Sequence, residues 1–188
     1  MLAESLRGEL AARGALLEGH FRLSSGRHSD RFVQKFRILE DPTIVEPIAK
    51  TLAERARPYA PSVVVSAAVG GIVLGYEVAR QLGTKAIFVE KEGGEAKLRR
   101  GFSLGPGDRV LVVEDVVTTG GSVREVLDVV RRAGARAVAV GIIVRREPTD
   151  FGIPSLALLD LPVTSFEPAE CPQCAAGLPI TEPGSRRL

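Results

Sequence analysis

The chain has 188 residues, which fits one medium domain able to bury about 70% of the surface its unfolded form exposes. Hydrophobic residues make up 45%, too many for a disordered chain, and a net charge of +2 gives no basic excess that would argue for nucleic acid as a partner. No apolar run approaches the ~20 residues of a bilayer span, and the opening MLAESLRGELAARG lacks the unbroken apolar stretch of an export signal, so a cytoplasmic protein is expected.

Leu2, Leu6 and Leu10 lie four apart and predict an amphipathic helix over residues 2–13. Residues 15–33 alternate enough for one or two short strands. Asp41 before Pro42 is a helix start, because Asp caps free amides and Pro suits the first helical position. That helix should run to about Arg57, with Pro58 and Pro61 bracketing a turn. A repeating pattern follows. PSVVVSAAV reads as a buried strand broken by Gly70 and Gly71, and IVLGYEVARQLG as a helix ending at Gly83. KAIFVEKE is a second strand, and residues 93–106 form a polar, Gly-rich loop. RVLVVEDV is a third strand, TTGGS a loop, and VREVLDVVRRAG a helix stopped by Gly134. ARAVAVGIIV and SLALLDLPV are the last two strands, and residues 167–188, rich in Pro and Gly, should form an irregular tail packed on the domain.

Strands alternating with helices of about a dozen residues imply an α/β fold with a mainly parallel central sheet flanked by helices. Ligands of such sheets bind beyond the carboxyl ends of the strands. Gly70, Gly71, Glu90, Lys91, the segment from Glu114 to Ser122, and Arg145 should therefore share one rim.

The segment VLVVEDVVTTGGSV, from Val110 to Val123, carries the most chemistry. An apolar strand ends in two carboxylates, Glu114 and Asp115. A loop of Thr118, Thr119, Gly120, Gly121 and Ser122 then opens a helix. The first amides of a helix lack internal partners and the dipole there favours an anion, so this is a phosphate cradle built on neutral donors. It lacks the GK[ST] of a Walker A loop and the G-x-G-x-x-G of a dinucleotide fingerprint. Carboxylates beside a phosphate cradle suit ribose hydroxyls, and would stabilise a sugar carbon that turns cationic.

This stretch resembles the signature of the phosphoribosyltransferases that use phosphoribosyl pyrophosphate (PRPP). The resemblance implies the type I phosphoribosyltransferase fold, with Glu114 and Asp115 on the ribose. Val117, Thr118, Thr119, Gly120, Gly121 and Ser122 would hold the 5-phosphate. Gly70 and Gly71 fall at the pyrophosphate loop, although many members carry Lys at the position of Gly70.

Three more segments resemble orotate phosphoribosyltransferase. GHFRLSSGRHSDRFVQ has the Ser-Gly-Arg core of a hood over the base, which implies orotate contacts from Ser25, Arg27 and Phe32, with Thr118 beside them. FVEKEGGEAKLRRGF resembles a strand end and mobile lid loop over the pyrophosphate, with Lys91 at the strand end and Lys97, Arg99 and Arg100 as lid cations; Asp115, Lys97 and Arg99 are the expected catalytic groups. GIIVRRE places Arg145 at a strand end to meet the orotate carboxylate, with Arg146 open as the alternative. The family further implies Mg²⁺ held mainly by substrate oxygens, with no side chain assigned to a metal, and a homodimer whose lid crosses to the neighbouring subunit. The chain is then one domain: hood 1–40, α/β core 41–166 and tail 167–188. A purine phosphoribosyltransferase, or a PRPP-sensing regulator on the same fold, are the alternatives; the length leaves no room for a separate DNA-binding domain.

Cys171 and Cys174, in CPQC, have metal-knuckle spacing, but a structural zinc site needs four ligands and no second C-x-x-C is present. His20 and His28 are far away in sequence. The expectation is a reduced cysteine pair in a turn, with a zinc shared across a dimer as the lesser alternative, and both histidines at the surface or hydrogen-bonded rather than on substrate.

Overall fold

A computed structural model of the chain describes residues 3–23 and 26–183. Its centre is a six-stranded sheet in the order β5-β4-β3-β6-β7-β8. These strands are β3 (Val63–Ala67), β4 (Lys85–Glu92), β5 (Glu95–Leu98), β6 (Arg109–Val117), β7 (Arg136–Arg145) and β8 (Ser155–Asp160). All neighbours pair in parallel except β4 and β5, which form an antiparallel hairpin. The chain builds outward from β3 through β4 and β5, then returns to the other side of β3 with β6. The strand order therefore reverses between β3 and β6, the position where such sheets open a crevice beyond their carboxyl ends.

Both faces of the sheet are covered, which is why the inner strands read as continuous apolar runs rather than alternating ones. On one face, α1 (Ala3–Ala12), α3 (Pro42–Ala56) and α4 (Gly70–Leu82) bring Leu6, Leu10, Ile48, Leu52, Leu74 and Val78 together with Leu111 and Val113 of β6. On the other, α5 (Gly121–Arg132) buries Val123, Val126, Val129 and Val130 in a cluster with Val110 and Val112. Asp41 caps α3 as expected: its carboxylate accepts from the Thr43 amide at 2.9 Å. The helix ends at Ala56 and continues as a single 3-10 turn, Arg57–Tyr59.

The segment before α3 folds as a hood. β1 (Leu16–Arg22) and β2 (His28–Val33) pair antiparallel, and β9 (Ser165–Phe166) joins β2 to make a second, three-stranded sheet. A one-turn helix, α2 (Phe36–Leu39), follows the hood and buries Ile38 and Leu39.

Two expectations need correction. Within the stretch expected as loop from 93 to 106, residues 95–98 form β5. Glu-Ala-Lys-Leu alternates, Ala96 and Leu98 pack against the core cluster under α5, and Gly93-Gly94 supplies the positive φ angles (59° and 84°) of a two-residue hairpin turn. The tail is not irregular throughout either. It holds a 3-10 turn (Pro168–Glu170), a short helix α6 (Pro172–Ala175) and a bridge from Thr181 to Phe21 on the open edge of β1.

Leu52 has no solvent exposure and sits where Gly141 of β7 leaves room, 3.5 Å from the position a Cβ there would take. Leu52→Ala should cost about 2–5 kcal/mol of folding free energy, measured as a lower urea midpoint at unchanged slope. A shift under about 0.5 kcal/mol would mean that this layer is not packed as described.

Candidate active site

The rim of the sheet gathers the strand ends as the pairing dictates. Ala67 of β3 lies beside Val89 of β4, and Val117 of β6 beside Arg145 of β7, which in turn neighbours Asp160 of β8. Glu114 and Asp115 are both buried, Asp115 with only 1% of its surface exposed. An isolated buried carboxylate is costly. Asp115 is compensated by the Lys35 ammonium, 3.0 Å from Oδ1 and 2.9 Å from Oδ2, and by the Val116 amide, which donates to Oδ1 at 2.6 Å. The contact with Oδ2 is ionic only; that oxygen has no hydrogen bond within the chain. Lys35 comes from the segment joining the hood to α2 and was not expected at the site. It is a single cation 80 residues away with no motif around it, and only the fold brings it here.

Gly70, the first residue of α4, completes the arrangement. A Cβ there would lie 2.3 Å from Asp115 Oδ2 and 2.6 Å from Lys35 Nζ. The bare glycine is what lets the ion pair reach the mouth of α4.

The loop after β6 behaves as a cradle. Gly120 caps α5 with φ 80° and no side-chain bond to the helix amides. A side chain there would drive a Cβ to 2.8 Å from both Phe151 and Thr149, so glycine is needed for space as well as conformation. Thr118, Thr119, Gly121 and Ser122 are exposed around the opening. A cavity of about 30 Å³ is lined by Glu114, Val116, Val117, Thr118, Gly120, Gly121, Ser122 and Val123. It has room for about two water-sized groups at the positive end of the helix dipole.

The cations expected on the lid are all paired. Lys91 holds Glu125 of α5 at 2.7 Å, Lys97 lies 3.4 Å from Glu95, Arg99 lies 3.3 Å from Glu92, and Arg100 binds Glu90 at 2.9 Å. These pairs are exposed, a class worth about 0–1 kcal/mol each, so their cations are held only weakly.

At the end of β7 the two arginines part. Arg145 forms a two-pronged pair with Asp160, at 2.6 and 3.1 Å. Arg146 turns inward and is buried, its amide donating to the Val117 carbonyl at 2.8 Å and its Nε lacking a partner. Burial pulls the Arg146 guanidinium below its ordinary value, while Glu147 and the hood residue Asp30 act the other way. In the hood, Arg27 is tied to Ser165 of β9 and to Glu167 at the start of the tail, and Phe32 packs on Phe21 with ring centres 5.8 Å apart. Ser25 lies outside the described residues. His20 and His28, expected at the surface or hydrogen-bonded, are buried together, and Cys171 is buried beside them.

The phosphoribosyl transferase domain profile matches residues 37–150, from α2 through the cradle to just past β7. The orotate phosphoribosyltransferase of Caldanaerobacter subterraneus subsp. tengcongensis is 49% identical over 173 residues, covering 91% of each chain. The crystal structure of orotate phosphoribosyltransferase from Aeropyrum pernix superposes with a TM-score of 0.71 at 28% identity, over 83% of this chain and 93% of that one. An adenine phosphoribosyltransferase from Trypanosoma brucei reaches a TM-score of 0.64 at 19% identity, over 82% and 79%, a likeness of fold alone. Among the described residues no helix is long and apolar enough to cross a membrane.

Burial pushes the Glu114 carboxyl up from 4.5 to about 8, with the neighbouring Asp115 adding to the push and Lys35 opposing it. The folded chain thus keeps this proton up to about pH 8, whereas the unfolded chain releases it near 4.5. The resulting stabilisation is full below the lower value and is lost as pH rises through the upper one. Urea unfolding of the wild type should weaken across that window relative to Glu114→Gln, which cannot ionise. Parallel pH profiles for the two proteins would show that Glu114 titrates as an ordinary carboxyl.

Proposed function

The chain belongs to the orotate phosphoribosyltransferases, within the phosphoribosyl transferase domain family, and on that premise we propose that it transfers the 5-phosphoribosyl group of PRPP to orotate, giving orotidine 5′-phosphate and pyrophosphate in pyrimidine biosynthesis. The observation that carries the reading is the buried carboxylate pair of Glu114 and Asp115 one loop ahead of the α5 mouth. The 5-phosphate sits on the amides and hydroxyls of Val117 to Ser122, where neutral donors and the helix dipole meet it. The ribose hydroxyls sit on the carboxylates. A proton-bearing Glu114 offers a donor and Asp115 offers acceptors, a set suited to two vicinal hydroxyls.

A ring nitrogen of orotate, giving up its proton to solvent, bonds to the anomeric carbon as the carbon–oxygen bond to pyrophosphate breaks and its electron pair leaves with the pyrophosphate. Positive charge grows on the sugar close to Asp115, and negative charge grows on the leaving group. Lys91, Lys97 and Arg99 leave their glutamate partners and turn to the pyrophosphate, with Gly70 and Gly71 giving backbone access beside it. Catalysis rests on position and charge, without a covalent intermediate on the protein. Magnesium suits this site as a substrate-borne ion, because Glu114 and Asp115 are hard oxygen groups but are already buried or engaged by Lys35; it would neutralise charge on the departing pyrophosphate.

For the base, Arg146 fits the orotate carboxylate better than Arg145. It is the buried guanidinium with an unpartnered Nε, under the electrostatic influence of Asp30 in the hood, whereas Arg145 is engaged by Asp160. Arg27, Phe32 and Thr118 remain hood and rim contacts in this reading. The working form is a cytoplasmic homodimer whose lid reaches the neighbouring subunit. Val69, Val73 and Tyr76 are exposed apolar residues at the start of α4, with Phe36 exposed as well, a surface that a subunit contact would cover.

Loss of orotate ultraviolet absorbance on adding PRPP and Mg²⁺ tests the activity; no change with orotate but turnover with a purine base would contradict it. Asp115→Asn should lower turnover by about 10² or more with a folded circular dichroism spectrum but a lower Tm, since it leaves Lys35 without its charged partner. Arg146→Ala should raise the KM for orotate about 10–100-fold and Arg145→Ala only slightly; the reverse order would return the carboxylate to Arg145. Light scattering should give twice the chain mass, reduced by Tyr76→Glu, and a wild-type monomer would contradict the dimer.

A further inference from the structure

Four potential ligands that are remote in sequence meet where the tail crosses the hood. His20 lies in β1 two residues before Arg22, and Arg22 pairs with His28 in β2. A bulge between Glu18 and Phe21 interrupts β1 at His20, and its imidazole comes to within hydrogen-bond distance of that of His28. Cys171 precedes the one-turn helix α6 and Cys174 ends its first turn, so the two thiols project to the same side. One ligand atom from each residue lies within 4.8 Å of all the others.

The distances suit a tetrahedral ion. His20 Nε2 and His28 Nδ1 are 3.2 Å apart. Cys171 Sγ is 3.5 Å from His20 Nε2, and Cys174 Sγ is 3.6 Å from His20 Nε2 and 3.2 Å from His28 Nδ1. Tetrahedral zinc, with bonds of about 2.0–2.1 Å to nitrogen and 2.3 Å to sulfur, separates its ligands by about 3.3–3.8 Å. His20 Nδ1 lies 2.9 Å from the Leu178 carbonyl. Donation of the Nδ1 proton to that carbonyl leaves the Nε2 lone pair directed at the cluster, the arrangement that outer hydrogen bonds impose on metal-binding histidines.

We propose that His20, His28, Cys171 and Cys174 bind a structural zinc ion that fastens the C-terminal tail to the hood sheet. Two thiolates and two imidazoles are a zinc donor set, and four protein ligands close the coordination sphere. The surrounding contacts point to the same joint. The Thr181 amide donates to the His20 carbonyl at 2.8 Å, the Arg22 amide donates to the Thr181 carbonyl at 2.9 Å, and Gln173 donates to the Gly19 carbonyl at 2.8 Å. These bonds, with the Arg22–Glu182 and Arg27–Glu167 ion pairs, lay the tail along the hood. The inference does not depend on the transferase reading, because it concerns a site that the phosphate cradle does not share.

The test is metal content in the full-length chain, produced with zinc present and dialysed exhaustively. About one zinc per chain is expected, falling at least tenfold in Cys171→Ser/Cys174→Ser and in His20→Ala/His28→Ala. A strong chelator should lower the wild-type Tm, and zinc should restore it. Cobalt substituted into the wild type should show the intense visible bands of a tetrahedral thiolate site, which keeps the test decisive if the variants fold poorly. A metal-free wild type whose Tm ignores added zinc would overturn the proposal. So would octahedral cobalt bands, zinc retained by the variants, or a Cys171–Cys174 disulfide in freshly isolated protein.

Discussion

Burying a carboxylate at the end of a central strand is the constraint around which this fold is arranged. Asp115 has almost no contact with solvent, and a charge held there needs a partner at close range. Lys35 is that partner. To deliver it, the chain must bring the end of the hood down onto the rim, and the first residue of α4 must be small enough to leave the pair room. Hood, β6 and α4 are thereby held together through one ion pair. The loop expected to hold phosphate follows directly along the chain, because the two acids lie in the last four residues of β6 and α5 starts four residues after Val117.

Around this fixed centre the other charges are loosely held. Lys91 of β4, Lys97 of β5, and Arg99 and Arg100 after it rest on glutamates near the surface, and such pairs exchange partners at little cost. Rigid groups are thus placed where the sugar would sit, and adjustable ones where the pyrophosphate would leave. The hood is different again. It has a small sheet of three strands, a tail laid along its open edge, and four potential metal ligands at the crossing. Two separate devices, an ion pair below and the proposed zinc above, would then hold the same hood in register over the rim.

Most of the core was legible in the sequence. The five parallel strands, the helices between them and the rim segments follow from apolar periodicity punctuated by glycine and proline, signals that act over a few residues. What escaped was of two kinds. β5 is only four residues long, and its alternation is hidden among glycines and charges. Lys35, and the meeting of His20 and His28 with Cys171 and Cys174, depend on contacts between residues 80 to 154 apart, which no local pattern records. The cysteine spacing was visible, but its remaining ligands were not, because two single histidines on a hairpin carry no spacing signature. The adjacent arginines are a related case: alternation at the end of β7 parts them, but only the fold shows which one meets Asp160 and which turns inward.

The central claim is that one helix mouth and the carboxylates before it form the donor site. A crystal structure with PRPP and magnesium bound tests this most directly. The account predicts the 5-phosphate against the backbone amides at the start of α5, with the ribose hydroxyls facing Glu114 and Asp115. A donor molecule seated elsewhere, with that mouth filled only by solvent, would contradict it.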